Sequence, residues 1–442
     1  MIEKLFHLKA AGTNVKREIV AGCTTFMTLS YIIFVQPAVL TATGMDFNAV
    51  MAATCIASAF ATVLMALLAN YPVALAPAMG HNFYFTYTVC LTLGVSWQHA
   101  LGAVFIAGAL FTLLAFVGLR EAVMNALPVS LRNAIPVGIG LLIALVGLEW
   151  AGIVVNHPST YVTLGKLTSA PALLSLFGVG VIAVLFALKV RGAILIGILA
   201  STVVGLITGM VKFQGILAAP PSLAPTFLKL QIPNIFAEPK LITIIFVFMF
   251  LDMFDAVWTL VGVSQQAGLM VDGKLPKARQ ALLSDAIATS AGAVLGTSTV
   301  SSYIESASGI SAGGRTGLTN IVTAALLLLA LFFNPLIKMV GAGYPIRENV
   351  FLYPIIAPAL IIVGSLMLKN VIHIDWDDVT ESIPAFLTLL MMPLTFSITE
   401  GIAFGFISHA LLKLVSGQGK GVHWLIYLFA VLFVVRYIWL VG

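Results

Sequence analysis

The sequence predicts an all-α polytopic membrane protein, on three observations. Sixty per cent of its 442 residues are hydrophobic and only 9% are charged, against roughly 45–50% and about 25% in soluble domains. Mean hydropathy is +1.08. Apolar runs of about 20 residues, the length that crosses a bilayer as a helix, recur from end to end. These values exclude an ordinary soluble enzyme and a disordered chain. At about 20 residues per crossing, the length admits at most some fourteen to sixteen spans.

Read in order, apolar runs fall near 18–40, 48–69, 98–119, 133–154, 171–188 and 193–212. After a polar segment they resume near 241–266, 281–295, 317–341, 346–368, 384–396 and 398–415. Two further stretches, 71–92 and 296–312, are long enough to span but oddly composed, and counting them gives fourteen crossings. This divides the chain into a cytoplasmic N-terminal segment (1–17), a seven-span repeat (18–212), a five-proline linker (213–240), a second seven-span repeat (241–415) and a hydrophobic tail (416–442). The run 423–441 carries Arg436, which leaves open whether it spans or lies in the interface. The first twenty residues contain Glu3 and Glu18 and no cleavage site follows their short apolar stretch, so they read as an amphipathic lead-in rather than a secretory signal.

Basic residues support this layout. With the N-terminus inside, the cytoplasmic side holds Lys4, Lys9, Lys16, Arg17, Arg120, Arg132, Lys189, Arg191, Lys274, Lys277, Arg279, Arg315, Lys369, Lys413 and Lys420. The outer side holds only Lys166, Lys212, Lys229, Lys240, Lys338 and Arg347. That asymmetry is the positive-inside pattern, and it implies a multi-pass protein of the cell (inner) membrane. The same scatter, singly or in pairs, excludes a nucleic-acid surface. Cys23, Cys55 and Cys90 sit inside apolar runs without metal-ligand spacing, so they read as packed thiols; no disulfide, metal or cofactor is expected.

Two segments should not form continuous helices. In YPVALAPAMGHNFYFTYTV (71–89), Pro72 and Pro77 each remove a backbone donor and clash with the preceding turn, so extended backbone gives way to a helix near Ala78. In GTSTVSSYIESASGISAGG (296–314), the Ser/Thr/Val-rich start is strand-like, and a short helix can follow it. Asn82 and Glu305 occupy corresponding positions in the two halves. Interrupted spans at matching places point to a transporter site between repeats, and an odd seven spans per half makes those repeats inverted. The alternative is a pair of Pro/Gly kinks between packed helices.

Ionisable residues at membrane depth are costly and therefore functional by default. Asp252 and Asp255, at i and i+3, share one helix face, and two repelling carboxylates suit one of them to carry a proton. Glu305 lies at the second break. Asp285 is an open case, a partner or an interfacial residue. Glu400 reads as a helix-start charge, and Glu149 and Glu381 as solvated ends. His81 is either a ligand for substrate or proton or a packed neighbour. Phe83, Tyr84 and Phe85 beside the first break, with Tyr303 beside the second, suggest a slot for a planar heterocycle.

At these residues the chain resembles the nucleobase:cation symporter-2 superfamily, in its adenine/guanine/hypoxanthine permease (AzgA-like) branch. The likeness lies in AGCTTFMTLSYIIFVQPAVL (21–40), NYPVALAPAMGHNFYFTYTV (70–89), FLDMFDAVWTLVGV (250–263), GTSTVSSYIESASGISAGGRTGLT (296–319) and ITEGIAFGFISH (398–409). The resemblance implies fourteen spans as a 7+7 inverted repeat, split into core and gate domains, often paired as a homodimer. Spans 3 and 10 would be discontinuous, with short strands. It places Asn82, Asp252, Asp255 and Glu305 at substrate-binding and transport positions, with Tyr303 and Ile304 offering backbone groups. It also implies uptake of a purine nucleobase with protons, coupled through Asp252, Asp255 and Glu305. His81 with the following FYF, and Trp258, depart from the branch's smaller residues and leave the particular base open, xanthine or uracil included.

Other classes fit less well. An anion transporter of the sulfate-permease kind shares this architecture, yet the candidate site has three carboxylates and no matched Lys or Arg. A channel needs a continuous polar pore. No HExxH or supported nucleophile turn suggests an enzyme, and no Walker A motif provides direct ATP drive. Sodium in place of the proton is not excluded by any residue.

Overall fold

Short polar side chains set where the helices begin, and small residues set how closely they pack. The computed structural model describes residues 2–117, 128–232, 240–270, 275–341, 343–347 and 350–439. Arg120 and Lys274 lie outside the described residues, as do the side chains of Lys240, Trp258 and Arg347. The chain forms two compact units: residues 1–117 with 168–359, and 118–167 with 360–442.

The first unit opens with α1 (Ile2–Phe6), α2 (Val15–Leu29), α3 (Ile32–Thr41) and α4 (Phe47–Leu68). Asn14 caps α2 by accepting from the Arg17 amide, and Asp46 caps α4 by accepting from Ala49, the usual solution for unpaired amides in a first turn. Then come β1 (Leu75–Pro77), α5 (Met79–Phe83), which continues as a π-helical stretch over Tyr84–Thr92, and α6 (Trp97–Val117). The second unit takes α7 (Val129–Trp150) and the exposed hairpin β2 (Val154–His157) and β3 (Tyr161–Leu164). The first unit resumes with α8 (Ala170–Ala187), α9 (Ala193–Ile207), α10 (Lys240–Gln266), α11 (Ala278–Leu295), β4 (Val300–Ser302), α12 (Ser306–Ser311), α13 (Gly317–Ala330) and α14 (Asn334–Gly341). A hairpin of β5 (Tyr344–Arg347) and β6 (Val350–Leu352) precedes α15 (Ala357–Met367). The second unit ends in α16 (Val379–Thr395), α17 (Ile398–Val415) and α18 (Trp424–Trp439).

In the first unit α2 lies directly on α12 and α13. A Cβ on Gly309 would stand 2.0 Å from Thr25 Oγ1, and one on Gly22 would stand 2.6 Å from the Thr319 carbonyl. Gly317 approaches Ala66 of α4 as closely. Lipid offers helices no hydrophobic reason to associate, so such close approach supplies the packing energy. Glu18, wholly buried, accepts from the amides of Arg315, Thr316 and Thr319 and from both threonine hydroxyls. An anion is thereby seated at the start of α13, where the helix dipole favours it.

In the second unit Glu400 does sit in the first turn of α17, capped by Ser397. Its carboxylate also takes Arg436 Nη2 at 2.7 Å and the Tyr437 hydroxyl, both from the tail helix α18. Glu381 is not simply solvated: Lys413 Nζ lies 3.0 Å from it and 3.3 Å from Asp378. The Thr380 hydroxyl and amide, followed by Lys413, hold the Asp378 carboxyl below its ordinary range.

Two expectations need correction. The run 346–368 is not helical throughout, because its first residues pair as the β5–β6 hairpin and the helix starts only at Ala357. The run 133–154 ends earlier, at Trp150, and the next residues open the β2–β3 hairpin. Alternating Val, Tyr and Thr around turn residues favour strands there, and an averaged hydropathy reading hides them. Among the described residues, eight helices are long and apolar enough to cross a membrane.

Candidate functional site at two crossed strands

The two interrupted segments meet inside the first unit. β1 and β4 pair antiparallel with Leu75 opposite Ser302, Ala76 opposite Ser301 and Pro77 opposite Val300. The ladder is extended by Ala78 N to Thr299 O and Tyr303 N to Ala74 O, each 2.9 Å. Extended backbone at this depth survives only if protein satisfies it. Thr62 of α4 accepts from the Leu75 amide and donates to its carbonyl. Asn320 of α13 donates to the carbonyls of Tyr71 and Val73, and Ser306 accepts from Ala74 N. The helix after β1 starts at Ala78, and α12 follows β4 after a turn at Tyr303–Glu305.

Around this crossing the predicted residues separate into groups. Asn82 is fully buried on α5. Its Nδ2 donates to Gln36 Oε1 at 2.6 Å, and its Oδ1 has no hydrogen-bond partner among the described residues. Gln36 in turn donates to Thr297 and Ser298, both at 2.9 Å, which lead into β4. Glu305 is partly exposed and accepts from the Tyr31 hydroxyl at 2.7 Å. Asp255, also partly exposed, lies within interaction range of Ser301 and Glu305. The Tyr303 hydroxyl donates to the Pro77 carbonyl at 2.5 Å. Ile304 beside it is 61% exposed, leaving its backbone at an accessible turn.

Other residues face inward. Asp252 is 1% exposed and accepts from Thr289 at 2.7 Å, a hydroxyl that also reaches the Val300 carbonyl. Its position, one turn before Asp255, therefore supports the back of β4. His81 is buried, with its ring bonded to the Leu251 carbonyl and Nε2 without a hydrogen-bond partner among the described residues. Phe83, Tyr84 and Phe85 do not form an open slot. All three are buried, and Tyr84 meets Phe248 edge-on at 4.9 Å.

Two participants escaped the sequence reading. Tyr31 and Gln36 lie in the first span among several other polar side chains, Glu18, Thr24, Thr25, Thr28 and Ser30, so their polarity alone did not single them out. Asp285, weighed from sequence as a partner or an interfacial residue, is wholly buried and accepts from Ser302 of β4 at 2.8 Å. Among the described residues, no three His, Cys, Asp or Glu side chains converge as a metal site. Chemically, the arrangement offers an amide acceptor, two partly exposed carboxylates and a turn of accessible backbone. These are groups for binding and releasing a polar ligand and protons rather than for breaking covalent bonds.

A family model described as "Permease family", that of the xanthine/uracil permeases, matches residues 16–404. A protein of Methanocaldococcus jannaschii is 51% identical over 443 residues, covering 100% of this chain and 99% of its own. The guanine/hypoxanthine permease PbuG of Bacillus subtilis is 44% identical, covering 99% of this chain and 100% of its own. The adenine permease AdeP of Escherichia coli is 42% identical, covering 100% and 96%. Among solved structures, the transmembrane domain of the cyanobacterial bicarbonate transporter BicA superposes with a TM-score of 0.62 at 17% identity, over 90% of this chain and 97% of that one. That likeness establishes a shared fold class.

Proposed function

The chain belongs to the nucleobase:cation symporter-2 permease family, and on that premise we propose that it is a secondary-active purine nucleobase permease driven by protons. It is a multi-pass membrane transporter, not an enzyme. The reading adds to this that adenine, guanine or hypoxanthine is the cargo, which the names of relatives at 42–44% identity support. It further holds that the chain crosses the inner membrane fourteen times as two inverted seven-span repeats, with its N-terminus cytoplasmic. Core and gate move past each other. Each compact unit draws on sequence from both sides of the 213–240 linker, as interleaved inverted repeats require.

One observation carries the site. The β1–β4 pairing sets the Asn82 amide, whose Oδ1 has no hydrogen-bond partner among the described residues, on one half-helix and the Glu305 carboxylate at the start of the other. A purine presents both donors and acceptors along its edge, so an amide acceptor and a protonatable carboxyl can read it. Asp255 is the second proton-active group, and Asp252 acts from behind the strand. The test is uptake of radiolabelled adenine, guanine, hypoxanthine, xanthine and uracil in cells lacking their own carriers. Uptake of at least one of the first three is expected. Uptake of xanthine or uracil alone reassigns the cargo, and uptake of none of the five ends the nucleobase reading.

A further inference from the structure

We propose that Tyr31 is a positioning residue for Glu305, holding carboxylate Oε1 so that the other oxygen is presented to the transported ligand and its proton. This rests on the functional reading above and deepens it. Tyr31 is 1% exposed, and its hydroxyl donates to Glu305 Oε1 at 2.7 Å. One turn earlier, Thr28 Oγ1 lies 3.3 Å from the main-chain oxygen of Glu305, its single proton shared with the nearer carbonyls of Thr25 and Thr24. Further back along α2, Thr25 abuts Gly309 and Glu18 seats the start of α13. Helix α2 and the turn that follows it thus line the segment 305–319 at several levels, and Tyr31 in that turn acts on the carboxylate itself.

Among the described residues no other side chain donates a hydrogen bond to the Glu305 carboxylate. The Tyr303 hydroxyl is engaged by the Pro77 carbonyl. The Tyr31 and Tyr303 rings lie 6.5 Å apart and tilted, so Tyr31 cannot swing away without repacking. A carboxylate has two oxygens able to accept. With one engaged, the other has a fixed direction, whereas an untethered side chain must be ordered at each binding event. The expected cost of losing the tether is about 3–10-fold in apparent affinity.

The test compares wild type, Y31F, E305A and the double variant. In uptake assays Y31F should raise KM about 3–10-fold while changing maximal rate less than about twofold. A drop in maximal rate with unchanged KM would make Tyr31 a packing residue and overturn the proposal. The unfolding midpoint of the purified protein, measured without substrate, gives an independent cycle. Non-additive shifts for Y31F and E305A support the tether, and additive shifts overturn it. If E305A does not accumulate, E305L takes its place in the cycle. Wild type that moves no nucleobase defeats the functional reading, and the unfolding cycle still decides the tether.

Discussion

Asn82 is committed on one side and open on the other. Its Nδ2 is engaged by Gln36, and its Oδ1 is buried without a hydrogen-bond partner among the described residues, a costly arrangement unless a ligand completes it. Asn82→Ala should therefore lower purine affinity about 10–100-fold, equivalent to roughly 1–3 kcal/mol, while the protein still reaches the membrane. Equilibrium binding of labelled purine to the purified variant checks this, and unchanged affinity would remove Asn82 from the site. Glu305→Gln keeps an oxygen for the Tyr31 hydroxyl but cannot lose a proton. It should bind and exchange purine yet fail to accumulate it uphill, which a counterflow assay separates from net uptake; wild-type accumulation would move the proton to Asp255 or Asp252. Asn82 and Glu305 were legible as residues because intramembrane polarity at paired breaks is rare. Their partners were not. That Gln36 meets Asn82 and Tyr31 meets Glu305 depends on which helices adjoin, and spacing along one helix carries no such information.

Helix α2 acts as a ruler along α12 and α13, and its far end is Glu18. Removing that carboxylate strands two threonine hydroxyls and the first amides of α13 in a buried place. Glu18→Ala should destabilise the protein by about 2–4 kcal/mol, seen as a lower unfolding midpoint in detergent. An unchanged midpoint would mean that water replaces the carboxylate. The start of α5 at Ala78 was readable because Pro72 and Pro77 forbid an earlier one, and the strand character of 300–302 because its residues are Ser and Val. The hairpins at 154–164 and 344–352 were not, since a window wide enough to detect a span averages a four-residue strand away. The tail was ambiguous from Arg436 alone. Its pairing with Glu400 shows how a charge inside an apolar helix is accommodated, and no feature of the tail's own sequence names that partner.

For the whole molecule, coupling is the property most open to test. The reading has carboxylates at membrane depth and no nucleotide-binding motif, so accumulation should collapse when an ionophore dissipates the proton gradient in vesicles free of ATP. Accumulation that persists would rule out proton drive, and dependence on sodium would change the ion while keeping the fold. The crossing of β1 and β4 also constrains how the protein is made. The Tyr303–Pro77 contact joins positions 226 residues apart. At roughly 5–20 residues per second, the ribosome delivers the second strand about 11–45 s after the first. During that interval the backbone around Leu75 has left the ribosome without the partner that will satisfy it. An unpaired strand in hydrocarbon is untenable, so the early segment must wait at the membrane surface or against the translocation machinery. The proposed site cannot form until more than two thirds of the chain has been made, and a chain interrupted before Val300 carries an unpaired strand edge.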